Sequence, residues 1–64
     1  MRTMLKTLRK KNRITQRELA DALHISQTSV SKYERGESEP DIAMLIEMSD
    51  YFGITIDEFI RGEK

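Results

Sequence analysis

A chain of 64 residues with no cysteine and a formal net charge of zero has room for one small domain, so residues 1–64 are expected to fold as a single unit. The absence of cysteine excludes disulfides and thiolate metal sites and fits a reducing cytoplasm; stability has to come from a compact helical core with short connections. No apolar run approaches the roughly 18 residues of a membrane span and no secretory pattern opens the chain, so a membrane partner is excluded and a cytoplasmic location is expected.

Arg2 to Asn12 carries Met4, Leu5 and Leu8 at helical spacing among basic residues and reads as an amphipathic first helix. Thr15 with Glu18 three residues later is a capping box that opens a second helix, with Leu19, Ala20 and Leu23 on its inner face. That helix stops near His24-Ile25. Ser26 then caps a third helix running to about Arg35, with Val30 and Tyr33 inward and Gly36 as its stop. Glu37 to Pro40 is a loop. Asp41 caps a fourth helix in which Ile42, Leu45, Ile46, Ser49 and Phe52 share one face, ended by Gly53. Thr55 caps a last helix, where Asp57 and Glu58 suit the helix dipole and Ile56, Phe59 and Ile60 form an apolar side. The expected fold is all-α, a compact five-helix bundle with no strand and no repeat.

The second and third helices, Thr15 to Gly36, have the layout of a helix-turn-helix whose second member lies in a DNA major groove. Two helices crossing so closely need a small residue where their backbones meet, and Ala20 falls there, with Ile25 and Val30 to fill the wedge. The turn residue needs a positive φ, and His24 is of a type enriched in that region. His24 is also the only histidine; without a cysteine or second histidine beside it, neither metal binding nor catalysis has partners to work with.

The outward face of the third helix carries Gln27, Thr28, Ser29, Ser31 and Lys32. Gln pairs with adenine N6 and N7, Lys with guanine O6 and N7, and a Thr methyl packs on the thymine methyl. Gln27, Thr28 and Lys32, with Ser31 beside them, are therefore the candidate base contacts. Gln16 and Ser29, near helix N-termini, suit phosphate. The charge distribution agrees: residues 1–35 hold nine Lys/Arg against three acids, a charge of +6, whereas residues 36–64 hold two against eight, a charge of −6. Across a fold of roughly 11 Å radius of gyration, comparable with a Debye length of about 10 Å in 0.1 M salt, a polyanion feels the basic half largely by itself. Arg9, Lys11, Arg13, Thr15, Arg17 and Arg35 complete the candidate phosphate contacts. Arg9 and Glu34 are further expected to form a partly buried pair between the first and third helices.

The run TQRELADALHISQTSVSKYERGESEPD, followed by LIEMSDYFGITIDEFIRG, resembles the Cro and phage-repressor helix-turn-helix family over nearly the whole chain, from about Leu5 to Gly62. The resemblance implies a five-helix DNA-binding domain of prokaryotic or phage origin. It implies a phosphate contact from Gln16, base reading by Gln27, Thr28 and Lys32, and an Arg9–Glu34 pair of the kind some members have. One departure stands out: where phage repressors often carry basic groups after the recognition helix, Glu37, Glu39 and Asp41 follow Arg35 here.

Three functions compete. The first is sequence-specific binding of double-stranded DNA by a transcriptional regulator of the repressor type, associated with the nucleoid, using a near-palindromic operator. Its homodimer would form through helices four and five, with Met44, Met48, Ile56 and Ile60 at the contact. The second is a protein-interaction module using the acidic half and the apolar Ile42, Ala43, Met44, Leu45, Ile46 and Met48. The third, an enzyme, has no nucleophile with a base at hand and no glycine-rich phosphate loop. Its only adjacent acids, Asp57 and Glu58, are explained by helix capping, so neither catalysis nor a cofactor is expected.

Overall fold

The computed structural model describes residues 4–61. They form five helices and no strand: α1 Leu5–Lys11, α2 Gln16–Leu23, α3 Gln27–Arg35, α4 Ile42–Phe52 and α5 Ile56–Arg61. The helical start expected at Arg2 and the end of the family resemblance at Gly62 lie outside the described residues.

The starts of α2 to α5 are set by side chains that satisfy first-turn amides, whereas Met4 before α1 supplies no such cap. Thr15 Oγ1 accepts from the Glu18 N–H while Glu18 Oε1 accepts from the Thr15 N–H, at 3.0 and 2.8 Å, and Thr55 and Glu58 repeat the box at α5. Ser26 and Asp41 each accept one amide hydrogen bond, from Ser29 and Met44.

Helix ends follow one rule. A left-handed residue follows each of α1 to α4: His24 (φ 60°), Gly36 (φ 77°) and Gly53 (φ 70°) at the caps of α2 to α4, and Arg13 (φ 59°) one residue past the Asn12 cap of α1. After each, the next residue's N–H reaches back to a carbonyl five positions earlier: Ile14 to Arg9, Ile25 to Ala20, Glu37 to Lys32, Ile54 to Ser49. In three of the four connections the sequence is a left-handed residue, an isoleucine and a hydroxyl cap: Arg13-Ile14-Thr15, His24-Ile25-Ser26, Gly53-Ile54-Thr55. Each isoleucine packs against the core, so the same three residues stop one helix, anchor the connection and start the next.

Leu5, Leu8, Leu19, Ala20, Leu23, Val30, Leu45, Met48 and Phe59 form one continuous core. Phe59 reaches it from the short α5, whose carbonyl at Phe59 also accepts the Met4 N–H at 3.1 Å. The radius of gyration is 10.4 Å. The expected inner face of α4 is corrected in two places. Ile42 and Ile46 are 73% and 43% exposed, while Met48, expected at a subunit contact, is fully buried. The inward stripe is the buried Leu45, Met48 and Ser49 with the half-buried Phe52; at 100° per residue Ile42 and Ile46 lie about 70° and 110° off its centre. Ser49 is tolerated in the core because its hydroxyl donates to the Ile46 carbonyl at 3.0 Å.

One carboxylate joins three helices. The Arg9 Nε and Nη2 of α1 donate to Glu34 of α3 at 2.6 and 3.2 Å, and Gln16 Nε2 of α2 donates to the same carboxylate at 3.0 Å. The remaining Arg9 Nη1 donates to the Ile14 carbonyl at 3.1 Å. The side chains are 12% and 3% exposed for Arg9 and Glu34. Burial pushes the Glu34 carboxyl up, but the hydrogen bonds from Arg9 and Gln16 and the charges of Arg9 and Lys6 outweigh it and hold the group below its ordinary value of 4.5.

Three outcomes follow for folding. Gly53→Ala meets no atom within 4 Å, so its loss of about 1 kcal/mol measures the left-handed backbone alone; His24→Gly should gain about 0.5 kcal/mol by the same argument. Unchanged melts in both would contradict the account of the helix ends. Glu34→Ala and Arg9→Ala should each cost about 3 kcal/mol, and the double mutant far less than their sum; additive losses would mean no pairing energy. Since the folded Glu34 pKa is lowered, its stabilisation is complete above the unfolded value and is lost as pH falls through the folded one. Denaturant midpoints measured below pH 4.5 should therefore fall more steeply for the wild type than for Glu34→Gln.

Candidate nucleic-acid interface

Ala20 and Val30, both buried, let α2 and α3 pack closely across the His24-Ile25-Ser26 turn. With the inner side of α3 fixed by Val30, a flank of the helix is left open to solvent. Gln27, Thr28, Ser31 and Arg35 are spaced so that they share this side, and together with Gln16 at the start of α2 they line one open depression. Lys32 is exposed one step around the helix, and Ser29 is half-buried, its N–H and Oγ both engaged by Ser26. Of the site residues expected from sequence, Gln16, Gln27, Thr28, Ser31 and Arg35 thus gather in one depression, which Ser29 and Lys32 do not line.

The cations differ in what they can offer. Lys11, Arg13, Arg17 and Lys32 are exposed and carry no ion pair among the described residues. Arg9, expected both as a phosphate contact and as a structural partner, has its guanidinium committed to Glu34 and the Ile14 carbonyl. Gln16 gives one amide hydrogen to Glu34, which leaves the other, with the free backbone N–H groups at the start of α2, for an anion. Thr15 is used as a cap in both directions.

Arg35 holds a pairing that the sequence reading missed. Its Nε and Nη2 donate to Glu37 at 2.7 and 3.2 Å, and its Nη1 donates to the Ser31 hydroxyl. Arg35 beside it, with some help from Lys32, holds the Glu37 carboxyl below the usual carboxylate range. Two residues apart on a helix, such side chains would not meet. They meet because Gly36 is left-handed and turns the chain back, with the Glu37 N–H bonded to the Lys32 carbonyl at 2.9 Å. The signal that could have found it is the R-G-E triplet at a helix end.

Chemically, the depression offers amides, hydroxyls and one guanidinium, and Lys11, Arg13, Arg17 and Lys32 add exposed cations elsewhere on the same domain. That set can read base edges and grip phosphates. Among the described residues no group of His, Asp or Glu side chains could hold a metal ion, and no helix is long and apolar enough to cross a membrane.

The helix-turn-helix family model matches residues 5–59. The HTH-type transcriptional activator BcrR of Enterococcus faecalis is 40% identical over 60 residues, which are 94% of this chain and 29% of BcrR. The cryptic phage CTXphi transcriptional repressor RstR of Vibrio cholerae is 46% identical over 44 residues, 69% of this chain and 39% of RstR. The chain thus spans less than half the length of either. Among solved structures, the P22 c2 repressor in complex with a synthetic operator superposes with a TM-score of 0.84 at 29% identity, over 92% of this chain and 89% of that one. With nearly all of α1 to α5 inside the matched region, the chain belongs to the helix-turn-helix family.

Proposed function

We propose that this chain binds double-stranded DNA sequence-specifically as the reading domain of a transcriptional regulator of the repressor type, with α3 in the major groove. The observation that carries the reading is the single face on which Gln27, Thr28 and Ser31 of α3 meet Gln16 of α2. Gln27, Thr28 and Lys32 read bases with Ser31 beside them, while Gln16, Ser29 and the exposed Lys11, Arg13 and Arg17 hold phosphates. Arg9 acts indirectly, by fixing Glu34 and through it Gln16. The relatives support regulation in both senses, since BcrR is named an activator, whereas RstR and the P22 c2 protein are named repressors. Two of three favour repression, in which an occupied operator excludes other proteins from the same DNA.

A near-palindromic operator read by a two-fold dimer, with half-sites about 34 Å apart, fits a single recognition helix per chain. The dimer contact is assigned to the outer surfaces of α4 and α5, where Ile42 and Ile46 are exposed and Met44, Ile56 and Ile60 are half-buried. Such a regulator works at the nucleoid.

Selection of random duplexes by the purified chain tests the reading; enrichment of a short motif supports it, and failure to enrich any sequence removes it. On the selected duplex, Lys32→Ala should relax preference at one base pair at a cost of about 1–3 kcal/mol, whereas Arg17→Gln should weaken all sequences about equally. With four exposed cations per subunit at phosphates, the log–log salt slope should lie near −3.6 per subunit; a slope near zero would exclude the phosphate grip.

A further inference from the structure

The pairing of Arg35 has a consequence for how well this surface discriminates between sequences. Arg35 lies in the depression with Gln27, Thr28 and Ser31, where a DNA backbone or base edge would arrive. Yet its Nε–Nη2 edge is taken by Glu37, and Nη1 by Ser31. A guanidinium in this state has its Nε–Nη2 edge closed to phosphate or guanine, and one Nη1 hydrogen already given to Ser31. The Glu37 backbone is itself pinned by the helix-ending bond to Lys32, so the carboxylate is presented to Arg35 by the fold and not by a wandering loop.

We propose that Glu37 is a specificity-determining residue: it occupies the Arg35 guanidinium as an internal substitute for phosphate and keeps Arg35 on Ser31, at the edge of the recognition surface. The inference rests on the DNA-binding reading. Binding to arbitrary sequence is carried by phosphate neutralisation, so withholding one cation weakens it directly. Binding to the right sequence depends in addition on ordered groups at base edges, and there the Ser31–Arg35–Glu37 chain contributes order. Glu37 therefore lowers indiscriminate affinity while sparing the specific complex. The acidic residue that follows α3 thereby acquires a role.

The test compares wild type, Glu37→Gln, Arg35→Gln and the double variant, each checked by thermal melting. Their binding to the selected duplex and to a random-sequence duplex is measured over a range of salt. Glu37→Gln should bind the random duplex about eightfold more tightly at 0.1 M salt, with a slope steeper by about 0.9, the signature of one added phosphate contact. Its gain on the selected duplex should be smaller, so that the specificity ratio falls. In the Arg35→Gln background the Glu37→Gln effect should vanish. Equal gains on both duplexes, no change in slope, or a gain that persists without Arg35 would each overturn the proposal. The last would mean that Glu37 acts only by its own repulsion. A wild-type chain that binds neither duplex would remove the DNA reading itself, and the role of Glu37 with it.

Discussion

Three helices of this domain meet at the carboxylate of Glu34, and the position of the proposed recognition surface depends on that meeting. Arg9 comes from α1, Gln16 from α2 and Glu34 from α3. A carboxylate whose side chain is 3% exposed is tolerated because Arg9 and Gln16 donate to it; unpaired, it would impose a penalty comparable with a good part of the roughly 3–10 kcal/mol that 64 residues usually provide. The same contacts set geometry as well as stability. Gln16 is held at the rim of the depression lined by α3, and the first turn of α2 is thereby fixed relative to the face that carries Gln27 and Thr28. A chain with little core to spare thus uses one polar junction to orient its binding surface.

The connectors give the junction its precision. Short links of a left-handed residue, an isoleucine and a hydroxyl cap leave little freedom in the angle between successive helices, because the isoleucine is anchored in the core while the flanking residues satisfy backbone groups of both helices. The turn between α2 and α3 is one of these links. Its use of His24 where Gly is freest is affordable because only one backbone conformation is strained and both neighbouring hydrogen-bonded ends are complete.

Much of this was legible in sequence, for a reason particular to local chemistry. Thr15, Ser26, Asp41 and Thr55 cap helices through bonds three residues away, so their roles follow from spacing alone, and His24 was marked by its place between two helices. The Arg9–Glu34 pair was legible because Glu34 is an isolated acid in a basic half. The inward face of α4 was not. With Ile42, Ala43, Met44, Leu45, Ile46 and Met48 the helix is apolar on nearly all sides, so periodicity does not select one stripe, and isoleucine and methionine compete on equal terms. Arg13 was missed as a left-handed residue since arginine is not enriched there. The Arg35–Glu37 pair was overlooked because residues two apart on a helix do not meet, and only the left-handed turn at Gly36 brings them together.

Charge, read as a sum over the first 35 residues, overstated what the interface can offer a polyanion. Two of the arginines counted there are engaged within the protein: Arg9 in the junction and Arg35 by Glu37. What remains is a modest set of exposed cations, and under the proposed function the side chains at base edges carry a larger share of the discrimination. The most direct test of that arrangement is to follow backbone amide resonances while a duplex carrying the selected motif is added. The account predicts that shifts concentrate at residues 15–17 and 27–32, with α4 and α5 changing only where two copies meet. Shifts centred on the outer face of α4, with 27–32 unmoved, would contradict it.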